Sequence, residues 1–297
     1  MQFLKDLNYN NIDNGIEYLK NNEFKFFLPK EEKTIYHVYW YGMIKRKQLC
    51  CINSYLATQD LSNTELWIWL DENTFNNSNK ELIKDHKNIK IKKYCPNKEK
   101  VDTPFFDYEF IDQTSSLKFR SDIARIIFLY KYGGLYYDLD MILLKDLKPL
   151  LNKEFCYTWS YIKKGNNGIL RLKKQSELCY QLMNKYKNTI SPFNLHNQKF
   201  FLGYNHRYIF TEEIKIMCFP CVMFDPGWIL MDTKSKSKYS KLSHLDDFFK
   251  STDEDITNFF DNQIFAYHWH SRANAVIEKD SYFEKIETLI SKMWYNV

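Results

Sequence analysis

The stretch that decides the fold is Ser121–Leu144, SDIARIIFLYKYGGLYYDLDMILL. Its first half is apolar on most sides, with polar residues at Ser121, Asp122 and Arg125, and it predicts a buried helix over Leu117–Tyr132. Ser115 and Ser116 stand ahead of it as N-cap candidates. Gly133-Gly134 ends the helix, because glycine tolerates the left-handed conformation of a C-terminal cap. Leu135–Asp140 then predicts a strand, so the chain turns from helix to strand within two residues. Asp122 and Arg125 are three apart and share a helix face. Asp138 and Asp140 are two apart and share a strand face.

Working outward, Thr34–Tyr41 (TIYHVYWY), Leu66–Leu70 (LWIWL) and Ile89–Tyr94 predict strands. Lys45–Thr58 predicts a helix between the first two, and a short helix ends over Ile83–His86. This alternation implies a parallel sheet with helices on its faces. Residues 95 to 113 predict a loop. Further strands are expected at Phe155–Tyr161, Ile214–Phe219 and Gln263–Trp269, and helices at Lys173–Lys187 and Lys279–Tyr295. Residues 1 to 30 predict a helical extension, and the polar residues 232 to 258 a mobile loop or insertion. No interdomain linker is evident, so a single domain over 1–297 is expected.

Composition narrows the function. The chain has 297 residues, 44% hydrophobic and 27% charged, values ordinary for a globular protein. Its net charge of +5 is scattered and forms no basic stripe with interleaved aromatics, which argues against nucleic-acid binding. The seven cysteines are odd in number and several lie in apolar runs, as expected of reduced thiols. Cys218 and Cys221 form one C-x-x-C without the second pair a structural zinc site needs. The start, MQFLKDLNYNNIDNG, has no apolar signal-peptide core, and no stretch approaches a membrane span. A cytoplasmic protein without an integral membrane segment is expected.

Two aspartates inside the apolar run GGLYYDLDMILL are unusual without a function, because buried carboxylates are costly unless paired. With Asp122 they place three carboxylates and one guanidinium at one sheet edge. A divalent cation offsets their mutual repulsion, and hard oxygen ligands suit Mg2+ or Mn2+ better than zinc.

The segment from Ser116 to Leu147 resembles the sugar-binding region of the DXD-containing glycosyltransferases. That family includes α-1,4-galactosyltransferases, yeast-type α-1,6-mannosyltransferases and glucosylating clostridial toxins. TIYHVYWYG resembles the family's first strand, and AYHWHSR (266–272) its C-terminal His/Trp segment. The resemblance implies an α/β fold of GT-A type, a Rossmann-like mixed sheet flanked by helices. It implies a metal-dependent transferase that moves a hexose from a nucleotide sugar, a UDP-hexose above all, to a glycan or other hydroxyl acceptor with retention of configuration. Val38, Tyr39 and Trp40 would then lie near the base, and Leu117 and Ser121 would border the nucleoside. Asp122 and Arg125 would bind sugar hydroxyls. Asp138 would contact the ribose or sugar and reach the metal, Asp140 would be its direct ligand, and Tyr136 would line the same pocket. His268 is a candidate further metal ligand, ahead of His270, and Asn167 a candidate donor contact. Where relatives carry a Gly-x-Gly-Pro turn, this chain has Gly203-Tyr-Asn-His.

Two other readings share the motif. Haloacid-type phosphohydrolases use Asp-x-Asp, but at their first strand and with Thr or Val where Ile142 stands here. A catalytically inactive nucleotide-sugar-binding protein is the non-enzymatic alternative.

Overall fold

A computed structural model describes residues 33–77, 80–83, 85–108, 117–159, 162–189, 216–219, 221–227, 244–256, 264–270 and 272–295. The expected extension over 1–30, the start of the strand expected at Ile214–Phe219, Gly203, and residues 232–243 of the expected loop lie outside them.

Strands β1 (Thr34–Trp40), β2 (Thr64–Asp71) and β3 (Ile89–Tyr94) pair in parallel, with β2 between the other two. Helix α1 (Arg46–Thr58) makes the first crossover. The second is α2 (Glu72–Asn77) with a 3-10 turn at Lys80–Leu82, which replaces the helix end expected at Ile83–His86. The loop expected at 95–113 contains α3, the single turn Pro96–Glu99, whose proline occupies the first helical turn where its missing N–H costs nothing.

Helix α4 (Leu117–Tyr132) returns the chain to the other side of β1, where β4 (Gly134–Tyr137) pairs in parallel with it. The sheet continues through β7 (Ile162–Leu172), β6 (Phe155–Trp159) and β8 (Met217–Phe219), giving the order β3-β2-β1-β4-β7-β6-β8. Only β7 runs against its neighbours β4 and β6. This is the Rossmann-like mixed sheet that the resemblance implied. Strand β7 was not foreseen, because KKGNNG reads as a turn in isolation.

The strand expected to run through Asp140 ends at Tyr137. Asp138–Asp140 form a turn, closed by Met141 N–H donating to the Asp138 carbonyl at 3.0 Å, and the Asp138 N–H donates to the Gly168 carbonyl at 2.8 Å. Strand β5 (Met141–Leu143) then leaves the main sheet and pairs antiparallel with β9 (Ala266–His268), so the two aspartates are not on a common strand face. A turn gathers them instead.

Alternation along β1 divides the core. Tyr36 and Val38 face the layer of α1, α6 (Tyr282–Tyr295), β5 and β9, while His37 and Tyr39 face α4 and α5 (Glu177–Thr189). His37 is fully buried. Its Nε2 lies 2.9 Å from the Gly133 carbonyl, and its Nδ1 accepts from Trp69 Nε1 at 3.1 Å. Those partners fix a neutral imidazole, and burial pushes its pKa down to about 3.

The Gly133-Gly134 turn is required by space as well as by conformation. Gly134 has φ +103°, and a Cβ there would sit 2.1 Å from the Ile35 carbonyl oxygen.

The described part of the 232–258 segment is packed rather than free. A 3-10 turn at Leu245–Phe249 buries Phe248 and Phe249, with Phe248 stacked 3.9 Å from the Tyr267 ring. The polar composition concealed two apolar anchors.

Candidate active site

At β1 the sheet order reverses: β2 and β3 lie on one side and β4 on the other. Such a switch point leaves a crevice at the carboxyl ends of the strands. A cleft of about 430 Å3 opens there. Its walls come from the end of β1 (Tyr39, Trp40, Tyr41), from α4 (Leu117, Ser121, Asp122, Arg125), from the Asp138–Asp140 turn, from Asn166 and Asn167, and from His268–His270.

Arg125 organises one wall. Its side chain is buried and lies over the Tyr136 ring, 4.6 Å from the centroid. Its Nη2 is 3.0 Å from Asp138 Oδ1, 3.3 Å from Asp122 Oδ1 and 2.9 Å from Ser121 Oγ, while Nη1 donates to the Asn167 carbonyl. Asn167 Nδ2 donates to Asp122 Oδ1 at 3.0 Å, and the Tyr136 hydroxyl donates to Asp138 Oδ1 at 3.1 Å. The guanidinium thus ties α4 to the end of β4 and to β7.

The opposite wall holds the aspartate turn and β9. Met141 is paired with His268, and the Trp269 N–H donates to the Asp140 carbonyl at 3.0 Å. This register brings His268 Nε2 within 3.0 Å of Asp140 Oδ1. Ligand atoms of Asp138, Asp140 and His268 all lie within 4.8 Å of one another.

Burial pushes the Asp138 carboxyl up. Arg125 works against that rise and Asp140 adds to it. At His268 burial disfavours the charged form, but Asp140 and then Asp225 hold its pKa well above the ordinary value. A divalent cation fits this set. Two carboxylate oxygens and an imidazole nitrogen could hold such an ion, whose charge would offset the repulsion between the aspartates.

Of the residues singled out in the sequence, Asp122, Arg125, Asp138, Asp140, Asn167, His268, Tyr39, Trp40, Leu117 and Ser121 share the cleft. Val38 does not. It is fully buried in the core cluster of α1, because strand alternation turns it away from Tyr39. Tyr136 is also fully buried and lies beneath Arg125 rather than along the cleft. Trp40 donates from Nε1 to the Met43 carbonyl at 3.1 Å, which holds the chain turn after β1.

Sequence reasoning overlooked Asp225 and Tyr157. Asp225 is fully buried, with Oδ1 2.8 Å from His270 Nε2. Burial alone would push its carboxyl up, but His270 and His268 outweigh that and hold it down at about 2. The only available signal was an aspartate between Phe224 and Pro226 in an apolar stretch.

Residues 46–156, from α1 to β6, match the family described as the glycosyltransferase sugar-binding region containing DXD motif. Over those residues the chain is similar to that family. That region covers just over a third of the chain and contains Asp122, Arg125, Asp138 and Asp140; His268 and Asp225 lie beyond it. An uncharacterized protein of Arabidopsis thaliana is 23% identical over 181 residues, which make up 58% of this chain and 26% of that protein. This chain therefore spans about a quarter of that relative's length. Two solved structures are also similar to it. PaToxG glycosyltransferase has a TM-score of 0.48 at 17% identity, over 67% of this chain and 78% of its own. The glycosyltransferase GlyE of Streptococcus pneumoniae has 0.48 at 12% identity, over 90% and 64%. Among the described residues no helix is long and apolar enough to cross a membrane.

Proposed function

We propose that this chain is a metal-dependent hexosyltransferase that takes its sugar from a nucleotide donor, a UDP-hexose above all, and passes it to a glycan or other hydroxyl acceptor with retention of configuration, in the biosynthesis of a glycan. The observation that carries this reading is the meeting of Asp138, Asp140 and His268 in the cleft that also presents Asp122, Arg125 and Asn167.

Asp140, Asp138 and His268 would hold Mn2+ or Mg2+. When bound, the cation supplies a positive centre against the charge that builds on the departing diphosphate. The remaining work belongs to side chains of the cleft. Asp122 and Asn167 already share a hydrogen bond at the wall, and both offer groups that can exchange it for sugar hydroxyls. Arg125 is buried and paired with both the Asp122 and Asp138 carboxylates, so its part is to aim them. Tyr39 and Trp40 offer aromatic surface for the nucleoside at the β1 end, with Leu117 and Ser121 across from them. Retention places the acceptor hydroxyl on the face of the sugar from which the diphosphate leaves, and the departing phosphate oxygen can take its proton.

A donor-hydrolysis screen over UDP- and GDP-sugars, with and without Mn2+, tests the reading. Release of free sugar from one donor, only with the metal, is expected. Phosphate release from simple phosphomonoesters would point to the haloacid-type alternative, and metal-dependent donor binding without sugar release to an inactive binding protein.

A further inference from the structure

Asp225 follows the 3-10 turn Cys221–Met223, and its N–H donates to the Cys221 carbonyl at 2.7 Å. Nothing in the transfer reaction above uses it. A fully buried carboxylate is costly unless its partners require it. Those partners lie on the side of His268 turned away from Asp140. The Tyr157 hydroxyl donates to Asp225 Oδ2 at 3.3 Å and lies 3.3 Å from His268 Nδ1. Asp225 Oδ2 is 3.7 Å from the same Nδ1, too long for a direct hydrogen bond. The link therefore runs through the phenol.

The directions of the hydrogen bonds follow. The Asp225 carboxylate only accepts, so the Tyr157 O–H points at it. The phenol oxygen is then left to accept from Nδ1–H of His268. In the neutral ring, the form that binds a cation, that assignment leaves the lone pair on Nε2, the atom facing Asp140. The ring is also confined in plane and tilt. It stacks on His270 with centroids 3.8 Å apart, and Gly168 leaves the ring its space: a Cβ there would lie 3.3 Å from His268 Cε1 and 3.2 Å from the Tyr157 hydroxyl oxygen.

We propose that Asp225 and Tyr157 are positioning residues that fix the tautomer and orientation of His268 and so prepare its Nε2 for the cation shared with Asp138 and Asp140. The inference rests on the metal-dependent reading above. Groups behind a metal-bound imidazole set ligand basicity and aim, and their loss weakens metal affinity about tenfold or more.

Isothermal titration of the full chain with Mn2+ and, separately, Mg2+ tests it on wild type, Tyr157→Phe and Asp225→Asn, with melting temperature recorded for each. Tyr157→Phe is the variant that keeps the fold if Asp225→Asn does not. An imidazole ligand favours Mn2+ over Mg2+ more than carboxylates do. The expected result is about tenfold weaker Mn2+ binding and a smaller loss for Mg2+, so that the ratio of the two affinities shrinks. Equal loss for both ions, or no loss for either, would overturn the positioning role while leaving the metal site in place. Wild-type protein that binds neither ion would overturn the metal reading, and this inference with it.

Discussion

His268 Nε2 and Asp140 Oδ1 lie 3.0 Å apart although the residues are separated by most of the second half of the chain. The β5–β9 ladder makes this contact, since Met141 pairs with His268 and the Trp269 N–H reaches the Asp140 carbonyl. The DXD turn is thereby clamped from outside the main sheet.

Asp140→Asn keeps the size of the side chain and removes its charge. Donor turnover should fall by a factor of about 100 or more, with a circular dichroism spectrum like that of wild type. Wild-type turnover by this variant would exclude Asp140 as a ligand.

Arg125→Ala should cost stability as well as activity. It leaves the Asp122 and Asp138 carboxylates without the guanidinium between them, a loss of about 3 kcal/mol for a buried pair. Urea unfolding measures this. Arg125→Lys should recover only part of it, because an ammonium cannot span Ser121, Asp138 and the Asn167 carbonyl together.

Gly134→Ala should prevent folding or destabilise the chain by about 3 kcal/mol or more. The added methyl meets the backbone oxygen of Ile35, which the β1–β4 pairing holds in place. Yield of soluble protein and the melting temperature report the outcome.

Mn2+ binding should strengthen as pH rises from 6 to 9, because His268 must shed a proton to become a ligand and its pKa is held well above the ordinary value. Each pH unit below that pKa costs about 1.4 kcal/mol of apparent affinity. In metal-free protein the sign is opposite. The contribution of protonated His268 is fully present below pH 6.5 and is lost as pH rises through the folded pKa. The gain in melting temperature on adding Mn2+ should therefore increase with pH, and a gain independent of pH would contradict it.

His37 should act in the other direction. Its folded pKa of about 3 is below the ordinary 6.5, so its contribution is present above pH 6.5 and lost as pH falls from there toward 3. His37→Phe should flatten the acid side of the stability curve. It should also cost about 1–3 kcal/mol at neutral pH, because it strands the Gly133 carbonyl and Trp69 Nε1. Chemical denaturation at pH 7, 6 and 5 separates the two effects.

The chain's own pattern determined the first half of the fold and the centre of the site. Strands β1 to β3, helix α4 and the Gly133-Gly134 turn carry local signals, namely apolar periodicity, β-branched and aromatic runs, and glycine where only glycine fits. Asp122, Arg125 and Asp138 were legible for the same reason, since they lie within one helix–turn–strand unit. Tertiary structure decided what depends on pairing between distant segments. Asp138–Asp140 became a turn because β5 leaves the sheet to join β9, a partner no local pattern names. β7 formed from a Gly-Asn stretch because β4 and β6 flank it on both sides. Asp225 and Tyr157 entered the site because β6 and the segment after β8 close behind His268. Local chemistry sets which side chains can bind a cation and a sugar. Long-range strand pairing sets which of them meet.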